Sequence, residues 1–257
     1  MIMANMRYNC PLCSHTMQFN TMNLILFAAH ELDGHQQLSL SDERHQQIRH
    51  IHRSQPGDTV RLGMINGLMA TGTIINIDEH SVQLCVLNTE PPPPKIPLRI
   101  ILALPRPKMI RRIFRSIAEL GVSELIIINS YKVEKSFWQS PAISEANVQG
   151  YLLDGLQQAK DTVLPKVSFY KRFKPFVEDE LPKLCADTNK LIAHPDSAEA
   201  CPLAINCPTT LAIGPEGGFT PYEVDKFLAA GFSGIHLGPR ILKVENAVTV
   251  LTAKLFN

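Results

Sequence analysis

Apolar positions change their spacing once along the chain, near residue 97. Before it the apolar runs are short: "TVRLGM" (59–64), "MATGTIINID" (69–78) and "SVQLCVLN" (81–88), separated by the turn-forming "NG" and "DEH". Several short strands joined by tight turns predict a small β-barrel. "SDERHQQIRHIHR" (41–53) predicts a helix with Ser41 as its N-cap. After it, "LRIILAL" (98–104) is an unbroken apolar strand and the next segment has helical period. Met109, Ile110, Ile113, Phe114, Ile117 and Leu120 fall on one face, Arg111, Arg112 and Arg115 on the other, and Gly121 follows as a C′ residue. Further strands are predicted at 124–129, 166–170, 190–194, 209–214 and 233–238, with helices at 144–160, 175–185, 221–230 and 245–255. Strands alternating with helices predict an α/β domain, its parallel sheet covered on both faces.

"EPPPPKIP" (90–97) marks the boundary, because four consecutive prolines continue neither a helix nor a central strand. The expected domains are 22–92 and 97–257, preceded by a disordered extension over 1–21 that ends where Met22 gives a more typical opening. A chain of 257 residues with 45% hydrophobic and 19% charged residues is ordinary for a soluble protein. No apolar run approaches the ~18 residues of a membrane span, and the start lacks a cationic-then-apolar leader, so a cytoplasmic location is expected. The six cysteines are scattered apart from Cys10-Pro-Leu-Cys13. With His15 as the only further nearby ligand, that pair falls short of a zinc set, and no metal is expected.

Net charge is +1, but its distribution is uneven. Residues 99–115 hold six basic residues and no acidic one, and residues 44–53 hold three arginines and three histidines. Arg49, Arg53, Lys108, Arg111, Arg112 and Arg115 could therefore form a phosphate-backbone footprint. A solvated helix face accounts for the same charges equally well. Against RNA, residues 22–90 carry four Lys/Arg and eight Asp/Glu.

Three loops follow predicted strands near the end of the chain: "AHPD" (193–196), "IGPEGGFT" (213–220) and "LGPRILKVENA" (237–247). Ligands collect beyond the carboxyl ends of strands in open α/β sheets, so the three suggest one composite pocket. The middle loop lacks the lysine and hydroxyl of a P-loop and the spacing of a dinucleotide fingerprint. Glu216 at its centre disfavours a polyphosphate and favours a cationic or neutral polar ligand. Gly217 and Gly218 would let the backbone approach a flat ring. The alternative is a tight strand-to-helix connection. Thr220-Pro221-Tyr222-Glu223 is a capping box and reads as structural. Glu245 opens the last helix either as a first-turn stabiliser or as a ligand-binding group, and Arg240 lies in a tight turn where a solvated arginine is the alternative.

"LAIGPEGGFTPYEV" with "GFSGIHLGPRILKVENAV" resembles the C-terminal signature of SPOUT methyltransferases, and more narrowly of the ribosomal RNA small subunit methyltransferase E (RsmE) family. "LPRPKMIRRIFRSIAELGVSELIIINS" and "LIAHP" resemble other segments of that family, and the match runs in order over about residues 22–257. The resemblance implies a parallel-sheet SPOUT domain with a C-terminal trefoil knot, preceded by a small PUA-like RNA-binding barrel. It also implies an obligate homodimer, S-adenosylmethionine as cofactor, and methyl transfer to N3 of a uridine in 16S ribosomal RNA of the small subunit. Ile192, His194 and Pro195 would line the cofactor pocket from one loop, Ile213, Gly214, Pro215, Glu216, Gly217 and Gly218 from the second. Leu237, Gly238, Arg240, Ile241 and Leu242 would line it from the third. For catalysis, Arg240 and Arg106 are candidates to stabilise the uridine anion, with Glu216 or Glu245 as proton acceptor. Two positions depart from the family pattern: Asp161 where an arginine is usual, and Asn246 where threonine is usual. They leave open an RNA-binding assembly factor without catalysis, or a SPOUT enzyme acting at another RNA site.

Overall fold

A computed structural model describes residues 23–51, 53–205 and 207–256, so Cys10, Cys13, His15 and the segment 1–21 lie outside the described residues. Two sheets each enclose an apolar core. The first contains β1 (Ile25–Phe27), β2 (Gln37–Leu40), β3 (Thr59–Met64), β4 (Met69–Ile77) and β5 (Val82–Glu90), in the order β1-β3-β4-β5-β2. β1 runs parallel to β3 and the other pairs are antiparallel. A register shift between Ile74 and Asn76 puts a bulge in β4 against β5, which adds twist and curls the sheet. The edge strands β1 and β2 are not bonded to each other.

The helix after β2 starts one residue later than expected. The Asp42 carboxylate, not Ser41, caps α1 (Glu43–Gln46) by accepting the Arg44 N–H at 2.9 Å. A negative charge at a helix N-terminus serves better than a hydroxyl. A single π turn, Gln47–Ile51, then replaces the regular continuation and carries Ile48 into the core. The Arg44 guanidinium bonds Asp42 at 2.6 Å and Glu31 at 2.5 Å, which holds both carboxyls below their usual range.

The second sheet holds β6 (Ile96–Ala103), β7 (Val122–Ile128), β8 (Lys166–Tyr170), β9 (Asn189–Ala193), β10 (Glu199–Ala200), β11 (Thr209–Ile213) and β12 (Ser233–His236). Its order is β10-β12-β9-β11-β6-β7-β8 and every pairing is parallel. The covering helices are α2 (Pro107–Glu119), α3 (Glu145–Ala159), α4 (Phe173–Pro175), α5 (Leu181–Leu184), α6 (Pro221–Ala229) and α7 (Val244–Phe256), with a π turn at Phe176–Glu180 joining α4 to α5. α2 buries Ile110, Ile113, Phe114 and Ile117, and Gly121 beyond its end takes φ +69°. The apolar stripe read from sequence is the buried face. Among the described residues no helix is long and apolar enough to cross a membrane.

The two cores meet along β1. Ile25 and Phe27 enter the first core while Leu24 and Leu26, of opposite parity, enter the second. A Cβ on Gly63 would lie 2.5 Å from the Thr162 methyl and 3.0 Å from Leu24, so only glycine permits this approach. The Asn66 N–H donates to the Thr162 carbonyl at 2.8 Å, and the Thr162 hydroxyl donates to the Gly67 carbonyl at 2.6 Å. Asp161, one of the two departures noted above, is buried here and accepts from Lys95 Nζ at 2.7 Å. Lys160 beside it takes a left-handed conformation as the C-cap of α3.

Candidate functional site

The carboxyl ends of the central strands stop at one level. Ile235 on β12 is level with Ala193 on β9, Ala193 with Ile213 on β11, and Ile213 with Leu102 on β6. That row of apolar β-formers leaves three glycine- or proline-marked loops, 194–198, 214–220 and 237–243, starting side by side, with the 104–106 loop next to them. Parallel register therefore brings together what the sequence holds tens of residues apart. Of the residues expected to line a pocket, Ile192 is fully buried inside the sheet, level with Ala212 and Gly234, and Ile213 at the end of β11 is 4% exposed.

The middle loop is braced from both sides. Glu216 Oε1 accepts the backbone N–H of Arg106 at 3.0 Å, tying the loop after β11 to the turn that opens α2. Lys132, in the loop after β7, donates from Nζ to the Gly217 carbonyl at 2.6 Å. Glu223 is 2% exposed and accepts from the Thr220 N–H (2.8 Å), the Thr220 hydroxyl (2.9 Å), the Tyr131 N–H (2.8 Å) and the Ser130 hydroxyl (3.2 Å). The capping box is formed, and the same carboxylate also fastens α6 to the 129–133 loop. Sequence reasoning reached the cap and missed the second role, because Ser130 and Tyr131 lie more than ninety residues away.

The glycines divide their tasks. A Cβ on Gly214 would meet the Phe219 backbone N at 2.9 Å, so the loop folding back on its own strand requires glycine there. Gly218 takes φ +70° as its N–H bonds the Pro215 carbonyl at 2.8 Å, and open space lies where its Cβ would be. Gly217 lies against the Lys132 stem, 2.9 Å from where its Cβ would stand.

In the first loop the His194 N–H donates to the Ile235 carbonyl at 2.9 Å, and its carbonyl accepts the Ser197 N–H at 3.1 Å. In the third, His236 Nδ1 accepts the Gly238 N–H at 2.9 Å and steadies a turn at φ +99°. His236 lay inside a predicted strand and carried no signal of this. Arg240 is exposed and makes no hydrogen bond or ion pair among the described residues, and Arg106 keeps its guanidinium equally unpaired. Ile241 is 84% exposed and Leu242 36%, an unusual state for two large apolar side chains. Glu245 is half-buried in the first turn of α7.

Of the six basic residues expected to touch RNA, Lys108, Arg111 and Arg112 stand exposed on α2. Arg115 instead bonds Asp154 of α3 at 2.9 Å and stacks 5.1 Å over the Tyr151 ring, holding the two helices together. Arg49 stands 3.5 Å from Glu79 and Arg53 is exposed.

Comparison with known proteins gives the family and the fold. Residues 92–255 match the model of the RNA methyltransferase domain family. The ribosomal RNA small subunit methyltransferase E of Treponema pallidum is 27% identical over 242 residues, covering 90% of each chain. One of two such proteins of Borreliella burgdorferi is 23% identical, covering 92% of this chain and 100% of that one. The crystal structure of the Neisseria gonorrhoeae counterpart, bound to S-adenosyl methionine, superposes with a TM-score of 0.71 at 22% identity, covering 90% of this chain and 95% of that one. The chain belongs to the RNA methyltransferase domain family.

Proposed function

We propose that this member of the RNA methyltransferase domain family transfers a methyl group from S-adenosylmethionine to N3 of a uridine in 16S ribosomal RNA of the small subunit. The observation that carries the reading is the level row of strand ends, which starts three loops side by side and leaves the middle one braced by Glu216 and Lys132. Two relatives named as ribosomal RNA small subunit methyltransferases E align over about nine-tenths of the chain.

The residues present fit the cofactor. Open space beside Gly218, exposed apolar side chains at Ile241 and Leu242, and a carboxylate at Glu216 suit a neutral flat ring and a cationic sulfonium. His194, Pro195, Gly214 to Gly218 and Leu237 to Leu242 would hold it. When bound, the cofactor supplies an activated methyl group.

The chain must then orient the uridine and stabilise the anion left when N3 loses its proton. The unpaired guanidinium groups of Arg240 and Arg106 suit that charge. Glu216 already accepts the Arg106 N–H with one oxygen, which leaves its other oxygen or Glu245 as proton acceptor. Lys108, Arg111 and Arg112 would contact RNA phosphates. Asp161 pairs with Lys95 where the two sheets dock, so that departure supports no loss of catalysis.

The resemblance extends to a trefoil knot, a PUA-like fold for the first sheet, and a homodimer. The carbonyls of Lys254 and Leu255 at the end of α7 accept the N–H groups of Ala204 and Ile205, as a helix end encircled by an earlier segment would. Exposed Leu203, Ile241 and Val250 supply apolar surface for a second copy.

The test is methylation of small subunits from a strain lacking this gene, with labelled S-adenosylmethionine and mapping of the modified nucleotide by mass spectrometry. One methyl on a uridine base of 16S ribosomal RNA is expected. A ribose methyl, a transfer-RNA product, or no transfer despite cofactor binding would overturn it.

A further inference from the structure

A groove of about 310 Å³ opens at the carboxyl end of β8, outside the three loops. Phe169, Tyr170, Lys171, Arg172, Asp179 and Glu180 are among its walls. Phe169 ends the register row of the candidate site: Ile213 is level with Leu102, Leu102 with Ile127, and Ile127 with Phe169. Three interstrand steps of ~4.8 Å place the groove about 14 Å along the same edge from the middle loop.

Its chemistry is specific. Phe169 is 37% exposed, although the equivalent Ile127 on the neighbouring strand is fully buried. The Tyr170 ring packs at 4.8 Å on Phe176, which makes that wall rigid. Lys171 and Arg172 form a cationic rim and neither has a carboxylate partner among the described residues. Lys171 Nζ stands 6.0 Å from the Trp138 ring centroid, and the Trp138 indole donates to Asn129 at 2.9 Å, so the lysine is held at the groove's mouth. Glu180 stands 3.8 Å from Lys183, while Asp179 makes no ion pair among the described residues.

We propose that this groove is a subsite for one nucleotide of single-stranded RNA, the base stacking on Phe169, the backbone phosphates meeting Lys171 and Arg172, and Asp179 accepting from an exocyclic amine. An aromatic face gives sequence-tolerant stacking, unpaired cations attract phosphate, and a carboxylate accepts from cytosine N4. Uridine has no such amine, so the groove holds a neighbour of the modified base. The inference rests on the reading of the chain as an RNA methyltransferase and adds to it the grip on the strand beyond the target.

The experiment is fluorescence anisotropy of the full chain with short labelled oligo(C) and oligo(U) over a range of salt, beside calorimetry with S-adenosylmethionine. Wild type is expected to bind oligo(C) more tightly than oligo(U). Phe169→Ala should weaken oligo(C) binding about 5- to 100-fold. The exposed double change Lys171→Ala/Arg172→Ala should lower the salt slope by about one to two phosphates. Asp179→Asn should remove the base preference. Cofactor affinity should be unchanged in all three. Wild-type RNA affinity and salt slope in the Lys171/Arg172 variant would overturn the proposal even if Phe169→Ala misfolds, and so would a wild-type chain that binds neither oligonucleotide. A wild-type chain that binds oligo(C) as described but not S-adenosylmethionine would overturn the methyltransferase reading and leave the groove standing.

Discussion

Replacing Glu223 by alanine should destabilise the protein far more than its place on a surface helix suggests. The side chain is 2% exposed and its carboxylate receives the Thr220 and Tyr131 N–H groups and the Thr220 and Ser130 hydroxyls. Losing a helix cap alone costs about 1 kcal/mol. The alanine variant also strands donors in a part-buried or buried place, each costing about 1–3 kcal/mol unless water reaches it. With water relieving the more open ones, the expected loss is about 3 kcal/mol, and at about 2–4 °C per kcal/mol for a chain of this size Tm falls by roughly 6–12 °C. Thr220→Ala, which removes the cap hydroxyl and leaves Glu223 bonded to the 129–133 loop, should lower Tm by only about 2–4 °C. Asp225→Ala, exposed on the same helix, should change it by less than about 2 °C. Thermal melts followed by circular dichroism compare the three directly. If Glu223→Ala melts within error of Thr220→Ala, the carboxylate does no more than cap α6 and its bridge to Ser130 and Tyr131 contributes nothing.

Three further outcomes are expected. Arg240→Ala should lower methyl transfer about 10²- to 10³-fold even at saturating S-adenosylmethionine, and full activity there would remove Arg240 from catalysis. Lys95→Met strands the buried Asp161 carboxylate and should cost about 3–5 kcal/mol, whereas Lys95→Met/Asp161→Leu should recover most of it; a double variant no better than the single would show that the pair does not act through its charge. Glu31 and Asp42 have folded-state pKa values depressed by Arg44, so their contribution is present above the ordinary carboxylate range and is lost as pH falls through it. Tm should therefore drop from about pH 5 downward, and Arg44→Met should begin lower and show a shallower drop; equal slopes would mean that the cluster does not couple to folding.

Much of the architecture was already present in local pattern. The apolar face of α2, the strand at 166–170, the turn glycine at 121 and the Thr220–Glu223 cap each depend on neighbours within a few residues, and spacing alone places them. Where local signals competed, the reading was less accurate. Ser41 and Asp42 are adjacent capping residues, and the one that caps, Asp42, also pairs with Arg44, whose guanidinium reaches Glu31 across a loop. β1 and β2 are three and four residues long and were not predicted, since β1 draws its burial from two different cores. The site was legible as three loops but not as a braced one. Glu216 with Arg106, Lys132 with Gly217, and Glu223 with Tyr131 join residues eighty-five or more positions apart, and no periodicity records such pairs.

The sequence by itself thus determined the elements, the charges on α2 and the chemistry of the loops, because these follow from side-chain type and near-neighbour spacing. Tertiary structure alone decided which loops stand level, that Arg115 joins two helices while Arg111 and Arg112 remain exposed, and that Thr162 joins the two sheets while Asp161 beside it pairs with Lys95. Those outcomes depend on strand order and register, which are set by how whole faces bury against one another.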